Sequence, residues 1–274
     1  MLLAYRLRAP RPARGYELRI ASSEDGRAFH DVWTLGKEAL DSVSMERACL
    51  VAIPGGVRLY VSFVDPADGR WRIDVLEADR PETLDIRSRR AVLTASAAGV
   101  ESVKDPVVIR DGPRWLMFAS FGSRELRAAP GTDDALHASG DALSTGQLLS
   151  STGLATSDDG LRWSWEGPVL APPRSGWDGF ETRISAVLPR DGAWLALYDG
   201  IATIAKNYEE RTGIARSSDL RAWTRETTDG PAFRSPHASG SLRYACVVGS
   251  LVYAEAARAD GAHDLVVTDA QISG

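Results

Sequence analysis

Apolar residues in this chain come in short paired runs, not in helical stripes. Ala48 to Ile53 is followed by Arg58 to Phe63, and Val107 to Arg110 by Trp115 to Phe121. Ile184 to Leu188 is followed by Trp194 to Tyr198, and Tyr244 to Val248 by Leu251 to Glu255. Turn residues separate the members of each pair: Pro54-Gly55-Gly56, Asp111-Gly112-Pro113, Asp191-Gly192 and Gly249-Ser250. Runs rich in β-branched and aromatic residues, divided by such turns, predict antiparallel hairpins. Third strands are predicted at Trp71 to Leu76, Leu154 to Thr156, Gly213 to Ala215 and Asp264 to Thr268. Leu2 to Arg8, a Pro-rich loop and Tyr16 to Ala21 mimic a second and third run. The first group therefore starts at its second strand, and the last stops at its third. Strands do not alternate with helical patterns, which excludes a doubly wound fold.

A shorter motif repeats across the same groups. Ser23-Glu24-Asp25-Gly26 precedes Phe29, Ser157-Asp158-Asp159-Gly160 precedes Trp163, and Ser217-Ser218-Asp219-Leu220 precedes Trp223. In each, Asp stands two residues after Ser and the aromatic six after it. Ser and Asp side chains hydrogen-bond turn backbone, and the aromatic tucks under the turn. These turns resemble the Asp-boxes of sialidases and many other propellers. Together the repeats predict an all-β chain: a five-bladed β-propeller with Asp-box-like turns, residues 1–274 forming one domain of about five blades at roughly 40–60 residues each. Arg124 to Leu149, with Pro130-Gly131, His137, Ser139-Gly140 and Ser144-Thr145-Gly146, breaks the period and reads as a long inserted loop.

Composition narrows the function classes. The chain has 274 residues, 44% of them hydrophobic and 25% charged, which suits a soluble domain with a sizeable core. A net charge of −5 gives no basic field for nucleic acid or for an anionic membrane. No run is long and apolar enough to span a bilayer. The segment from Met1 to Gly15, carrying Arg6, Arg8, Arg11 and Arg14, has no signal-peptide h-region, so a cytoplasmic location is expected. Cys49 and Cys246 sit in similar strand contexts, read as small buried residues, and lack metal-ligand spacing. His30, His137, His237 and His263 are scattered. No Ser-His-Asp arrangement, phosphate loop or dinucleotide fingerprint is present, and no metal or cofactor is expected.

The first strand of a propeller blade lines the central channel, so polar residues at its start converge from different blades. Three such starts carry acids: Ser44-Met45-Glu46-Arg47, Val103-Lys104-Asp105-Pro106 and Gly179-Phe180-Glu181-Thr182-Arg183. The fourth has His237, Arg243 and Tyr244 instead. Each acid also has a structural reading. Glu46 can pair with Arg47 or another inner-strand Arg, Asp105 can cap a strand or turn, and Glu181 can pair with Arg183.

Acids on three successive blades resemble the five-bladed glycoside hydrolases: the arabinanase/β-xylosidase and invertase families and the related mannoside phosphorylases. The resemblance implies a base or nucleophile at the first acid, a sugar-orienting or pKa-tuning Asp before Pro at the second, and a Glu general acid at the third. Lys104-Asp105-Pro106 resembles the second motif, and Glu181 stands at the third. Glu46 stands at the first, where those families usually have Asp. Glycosidic cleavage needs one protonated and one ionised carboxyl, and a neighbouring negative charge keeps the acid protonated. Asp105 is the expected source of that charge.

Further candidates for binding substrate are Arg47, Arg183 and Arg243, which either hold an acidic sugar or phosphate or neutralise channel acids. Trp177 either stacks on a sugar or closes a loop. Lys104, Asp199, Tyr208, Arg211 and His237 complete the set. The expected ligand is a small carbohydrate. A glycoside phosphorylase, a non-catalytic carbohydrate-binding propeller and a protein-interaction platform stay open beside hydrolysis, as does the oligomeric state.

Overall fold

The computed structural model describes residues 1–10, 12–128 and 135–269. Arg11 and the Pro130-Gly131 turn lie outside the described residues. The described chain is built from five antiparallel sheets, the fold of a five-bladed β-propeller. The first sheet holds β1 (Leu2–Ala9), β2 (Arg14–Ser22) and β3 (His30–Gly36). The second holds β4 (Cys49–Ile53), β5 (Gly56–Val64), β6 (Trp71–Ala78) and β7 (Arg90–Thr94). The third holds β8 (Ser102–Asp111), β9 (Arg114–Gly122), β10 (Ser151–Ser157) and β11 (Ser164–Leu170). The fourth holds β12 (Glu181–Arg190), β13 (Ala193–Ile201), β14 (Arg211–Ser217) and β15 (Thr224–Arg225). The fifth holds β16 (Leu242–Val248), β17 (Leu251–Ala257) and β18 (His263–Asp269). Strands within each sheet are neighbours in chain order. Among the described residues, no helix is long and apolar enough to cross a membrane.

The predicted hairpins are all present, and the first and last sheets have three strands where the middle three have four. The Ser-x-Asp turns join β2 to β3, β10 to β11 and β14 to β15. This aligns β2 with the third strand of a four-stranded sheet, so among the described residues the first sheet has no first strand and the fifth no fourth. The three turns share one wiring. Asp159 Oδ1 accepts from the amides of Leu161 and Arg162, and Ser157 Oγ accepts from Gly160 N at 2.8 Å. Asp25 and Asp219 repeat this with Arg27, Ala28, Arg221 and Ala222. The residue after the Asp takes positive φ in every copy: Gly26 at 72°, Gly160 at 71° and Leu220 at 64°. At Gly160 a Cβ would also lie 2.0 Å from Arg58 Nη1 and 3.0 Å from Tyr60 OH, so a side chain there would have to displace the arginine.

The contacts fall into two compact units, Met1–Leu148 with Ala155–Gly167, and Leu149–Leu154 with Pro168–Gly274. In the first, β5 is buried along nearly its whole length. Its alternating side chains serve two apolar layers. Leu59, Val61 and Phe63 join Leu18, Ile20, Leu35 and Met45, while Tyr60 joins Ile73, Val75, Trp115, Met117 and Phe121. Such burial is worth about 1.5–3 kcal/mol for each large side chain. Leu136, Ala142, Leu143 and Leu148 give the insertion its own apolar cluster. Arg14 ties it down, donating to the Ser139 and Gly140 carbonyls and pairing with Asp141 at 3.3 Å. His137 Nε2 lies 2.8 Å from Glu101, whose carboxylate also meets Arg70 and Arg124. Burial pushes Glu101 up, but His137 and these arginines outweigh it and hold the carboxyl low. In the second unit, Ala186, Leu195, Leu197, Ala245 and Ala254 pack together. Cys49 and Cys246 are not disulfide-bonded and are only half-buried, and Cys49 Sγ accepts from Val108 N at 3.4 Å.

Candidate functional site

Glu46, Asp105 and Glu181 are all buried, at 5%, 0% and 6% exposure. Each belongs to the first strand region of its own sheet, at the end of the hairpin opposite the turn. The Glu46 amide donates to the Ser62 carbonyl near the C-terminus of β5. Lys104 pairs with Ser120 near the C-terminus of β9, and Asp105 follows in the bulge before Val107. Glu181 pairs with Ile201, the last residue of β13.

In the first unit, Ser62 positions two of the acids. Its carbonyl takes the Glu46 amide at 2.9 Å, and its hydroxyl accepts from Asp105 N at 3.2 Å. Asp105 has φ 55°, a left-handed conformation that a β-bulge tolerates in a short polar residue. Its Oδ1 accepts from Arg47 N at 3.2 Å, and Lys104 Nζ lies 3.9 Å from Oδ2. Lys104 also lies over the Trp71 ring at 5.0 Å. Arg6 Nη1 is 2.9 Å from Glu46 Oε2, and Arg8 Nε is 4.0 Å from Oε1. Both of these basic partners of Glu46 lie on β1. Arg47 is half-buried and lends Asp105 its backbone N–H.

The second unit holds a denser network. Arg183, opposite Asp199 in the β12–β13 register, reaches Asp199 at 3.2 Å, Glu181 at 3.4 Å and Glu210 at 3.6 Å through one Nη2. Arg243, opposite Glu255 on β17, binds Glu255 at 2.9 Å and Glu210 at 2.7 Å. Asp199, wholly inaccessible, also accepts from Tyr244 N at 3.0 Å. Tyr244 has φ 53° in the bulge of β16, and its ring lies 4.3 Å beneath the Arg183 guanidinium. Burial pushes Glu210 up, but the charges of Arg243 and Arg183 more than offset it and hold the carboxyl down at about 2. Burial opposes the charge on Arg243, and Glu210 and Glu255 overcome it, so its pKa stands well above the usual value. Four carboxyls face two guanidinia here.

The remaining candidates lie around this network or apart from it. Trp177 stacks on Tyr198 at 5.6 Å and donates its indole N–H to the Thr227 carbonyl at 2.6 Å. Its close approach requires Gly200, where a Cβ would lie 2.7 Å from the indole. Asp178 beside it is buried, accepting from Tyr198 OH and bound by Arg225. Tyr208 is 36% exposed at φ 75° in the loop before β14. Arg211 is half-buried and donates to the Ser239 carbonyl, and His237 is exposed. Glu210 and Glu255 escaped the sequence reading. Glu255 could have been found from the hairpin, because it stands directly across from Arg243. Glu210 sits in a polar loop stretch with no local signal.

No protein-family model matches the chain. No curated protein matches it either. Solved structures do. A β-1,2-mannobiose phosphorylase from Listeria innocua, in complex with β-1,2-mannobiose, aligns at TM-score 0.62 and 15% identity over 93% of this chain and 67% of its own. An endo-arabinase from Bacteroides thetaiotaomicron aligns at TM-score 0.67 and 13% identity over 95% and 88%. A thermostable family-43 glycoside hydrolase aligns at 0.64 and 13% over 92% and 81%. These likenesses show that the chain shares the fold of the five-bladed glycoside hydrolases and phosphorylases.

Proposed function

We propose that the chain is a carbohydrate-active enzyme that cleaves the glycosidic bond of a small glycoside or oligosaccharide by carboxylate chemistry, with residues 1–274 serving as one functional domain. The observation that carries this reading is the register. Three consecutive four-stranded sheets each bury an acid at the same end of their first hairpin. Each of these acids has a basic partner, but burying a charge is costly even when it is paired, so their recurrence at one register favours a role in chemistry. The fold shared with glycoside hydrolases and phosphorylases supports the same reading.

Glu181 is assigned as the proton donor to the leaving oxygen. Excess negative charge in a cluster disfavours ionising every member, which suits one carboxyl among Glu181, Asp199, Glu210 and Glu255 to carry a proton. Glu210 is held ionised, and Asp199 is committed to Arg183 and the Tyr244 amide. Glu46, ion-paired with Arg6, is assigned as base or nucleophile. Asp105, fixed by Ser62 and Arg47, is assigned to orient the sugar. Arg183 and Arg243 set the charge balance of the network around the donor.

The test is a panel of β-mannosides, α-arabinosides, β-xylosides and fructosides, each with and without inorganic phosphate. The account expects turnover of at least one glycoside and its loss, by roughly 100-fold or more, in Glu181→Gln. Dependence on phosphate assigns phosphorolysis; turnover without it assigns hydrolysis. Binding without cleavage of every glycoside tested contradicts the enzymatic reading.

A further inference from the structure

Apart from the buried ion-pair network, the second unit carries a cavity of about 390 Å³ lined by Arg211, Arg234, Ser235, His237, Ser239 and Gly240. No carboxylate lines it. Arg234 and His237 are exposed, and among the described residues neither enters an ion pair. Arg211 makes no ion pair there either; it donates Nη2 to the Ser239 carbonyl at 2.7 Å. This contrasts with Arg183 and Arg243, which are saturated with carboxylates.

The cavity is built from the loop between β15 and β16. Thr212 and Phe233 pair their backbones, Ser235 N donates to the Gly240 carbonyl at 3.1 Å, and Gly240 N donates to the His237 carbonyl at 2.7 Å. The Ser235 hydroxyl donates to the Ala257 carbonyl and accepts the His237 amide. Gly240 takes φ +72°, and a Cβ there would stand 3.3 Å from Arg211 Nε. The glycine therefore lets the guanidinium lie along the loop. Glu210 and Arg211 are neighbours in sequence. Glu210, just before β14, turns to Arg183 and Arg243, while Arg211, its first residue, turns to the loop.

Two guanidinia, an imidazole and the Ser239 hydroxyl around an acid-free hollow, in a chain of net charge −5, match one ligand chemistry. Guanidinium forks and hydroxyls bind carboxylate and phosphate oxygens through charge-assisted hydrogen bonds. We infer that this cavity takes the oxyanion of an acidic sugar, either the carboxylate of a uronate or the phosphate of a sugar monoester. The inference deepens the glycoside reading by naming a substrate class, and it is measured by binding, so it stands or falls without turnover.

The test is calorimetric titration of the whole chain with glucuronate, glucose 6-phosphate, inorganic phosphate and uncharged glucose. Arg234→Gln and His237→Gln are the variants; both side chains are exposed, and unchanged melting curves verify their folding. The account expects saturable binding of at least one acidic sugar, none of glucose, and weakening by roughly tenfold in each variant. Binding also falls as salt is raised. Which acidic sugar binds identifies the oxyanion. Absence of saturable binding of both acidic sugars, binding of inorganic phosphate alone, or equal affinity in the wild type and the double variant overturns the inference.

Discussion

Asp199 shows how much of the second unit hangs on single side chains. It is shut off from solvent, binds Arg183, and accepts the Tyr244 amide at both oxygens, 3.0 and 3.2 Å. Asp199→Ala leaves Arg183 its pairs with Glu181 and Glu210 but strands the Tyr244 amide, at a cost of about 1–3 kcal/mol. The substitution should therefore lower the free energy of unfolding, measured by denaturant titration, by that order, and a change below about 0.5 kcal/mol would contradict these bonds. Glu210 makes a prediction in pH. Its folded carboxyl is depressed to about 2 by Arg243 and Arg183 against the effect of burial. A depressed acid stabilises the fold above its unfolded pKa and loses that contribution as pH falls through the folded value. Stability owed to Glu210 should be complete above about pH 4.5 and vanish toward about pH 2. Melting temperatures of wild type and Glu210→Gln should accordingly differ most near neutrality and converge in acid. A gap that stays constant with pH would remove the electrostatic explanation.

At the scale of elements, hairpins were legible and outer strands were not. The first and second strands are apolar runs split by Gly turns, so β4 with β5 and β12 with β13 could be read directly from the sequence. The fourth strands β3, β7, β11 and β15 could not. They are short or largely exposed, β15 spans only Thr224–Arg225, and β11 carries Gly167-Pro168 in mid-strand. Edge strands with one exposed face carry a weak apolar signal. The acids were legible because each stands at the start of the first apolar run of its sheet, Glu46 before β4, Asp105 in the bulge of β8 and Glu181 at the head of β12. The arginine network was only half legible: Arg183 and Arg243 stand out, but Glu210 joins them from a loop that looks solvated in sequence. The Ser-x-Asp turns give the element-scale prediction. Ser157 is buried, its hydroxyl accepts the amides of Asp159 and Gly160, and it lies 3.1 Å from Asp159 Oδ1. Ser157→Ala strands these amides and should destabilise the protein by about 1–3 kcal/mol. Ser217→Ala should behave alike, since Ser217 repeats the same bonds. Unequal effects of the two would show that the turns are not energetic equivalents.

For the whole molecule, the repeat of five sheets explains why chemistry and fold are separable. Each sheet needs apolar faces and tight turns, which recur; among the described residues, a buried acid at the start of the first hairpin recurs in the middle three. Such a scaffold hosts many activities, so the proposal rests on these acids and not on the architecture. The central claim is that Glu181 donates a proton to the leaving group. The most direct measurement compares wild type and Glu181→Gln on two glycosides of one sugar, an alkyl glycoside and a dinitrophenyl glycoside whose leaving group departs without protonation. The account predicts a loss of roughly 100-fold or more on the alkyl glycoside and near-normal bond cleavage on the dinitrophenyl one. Equal losses on both, or none on either, would contradict it.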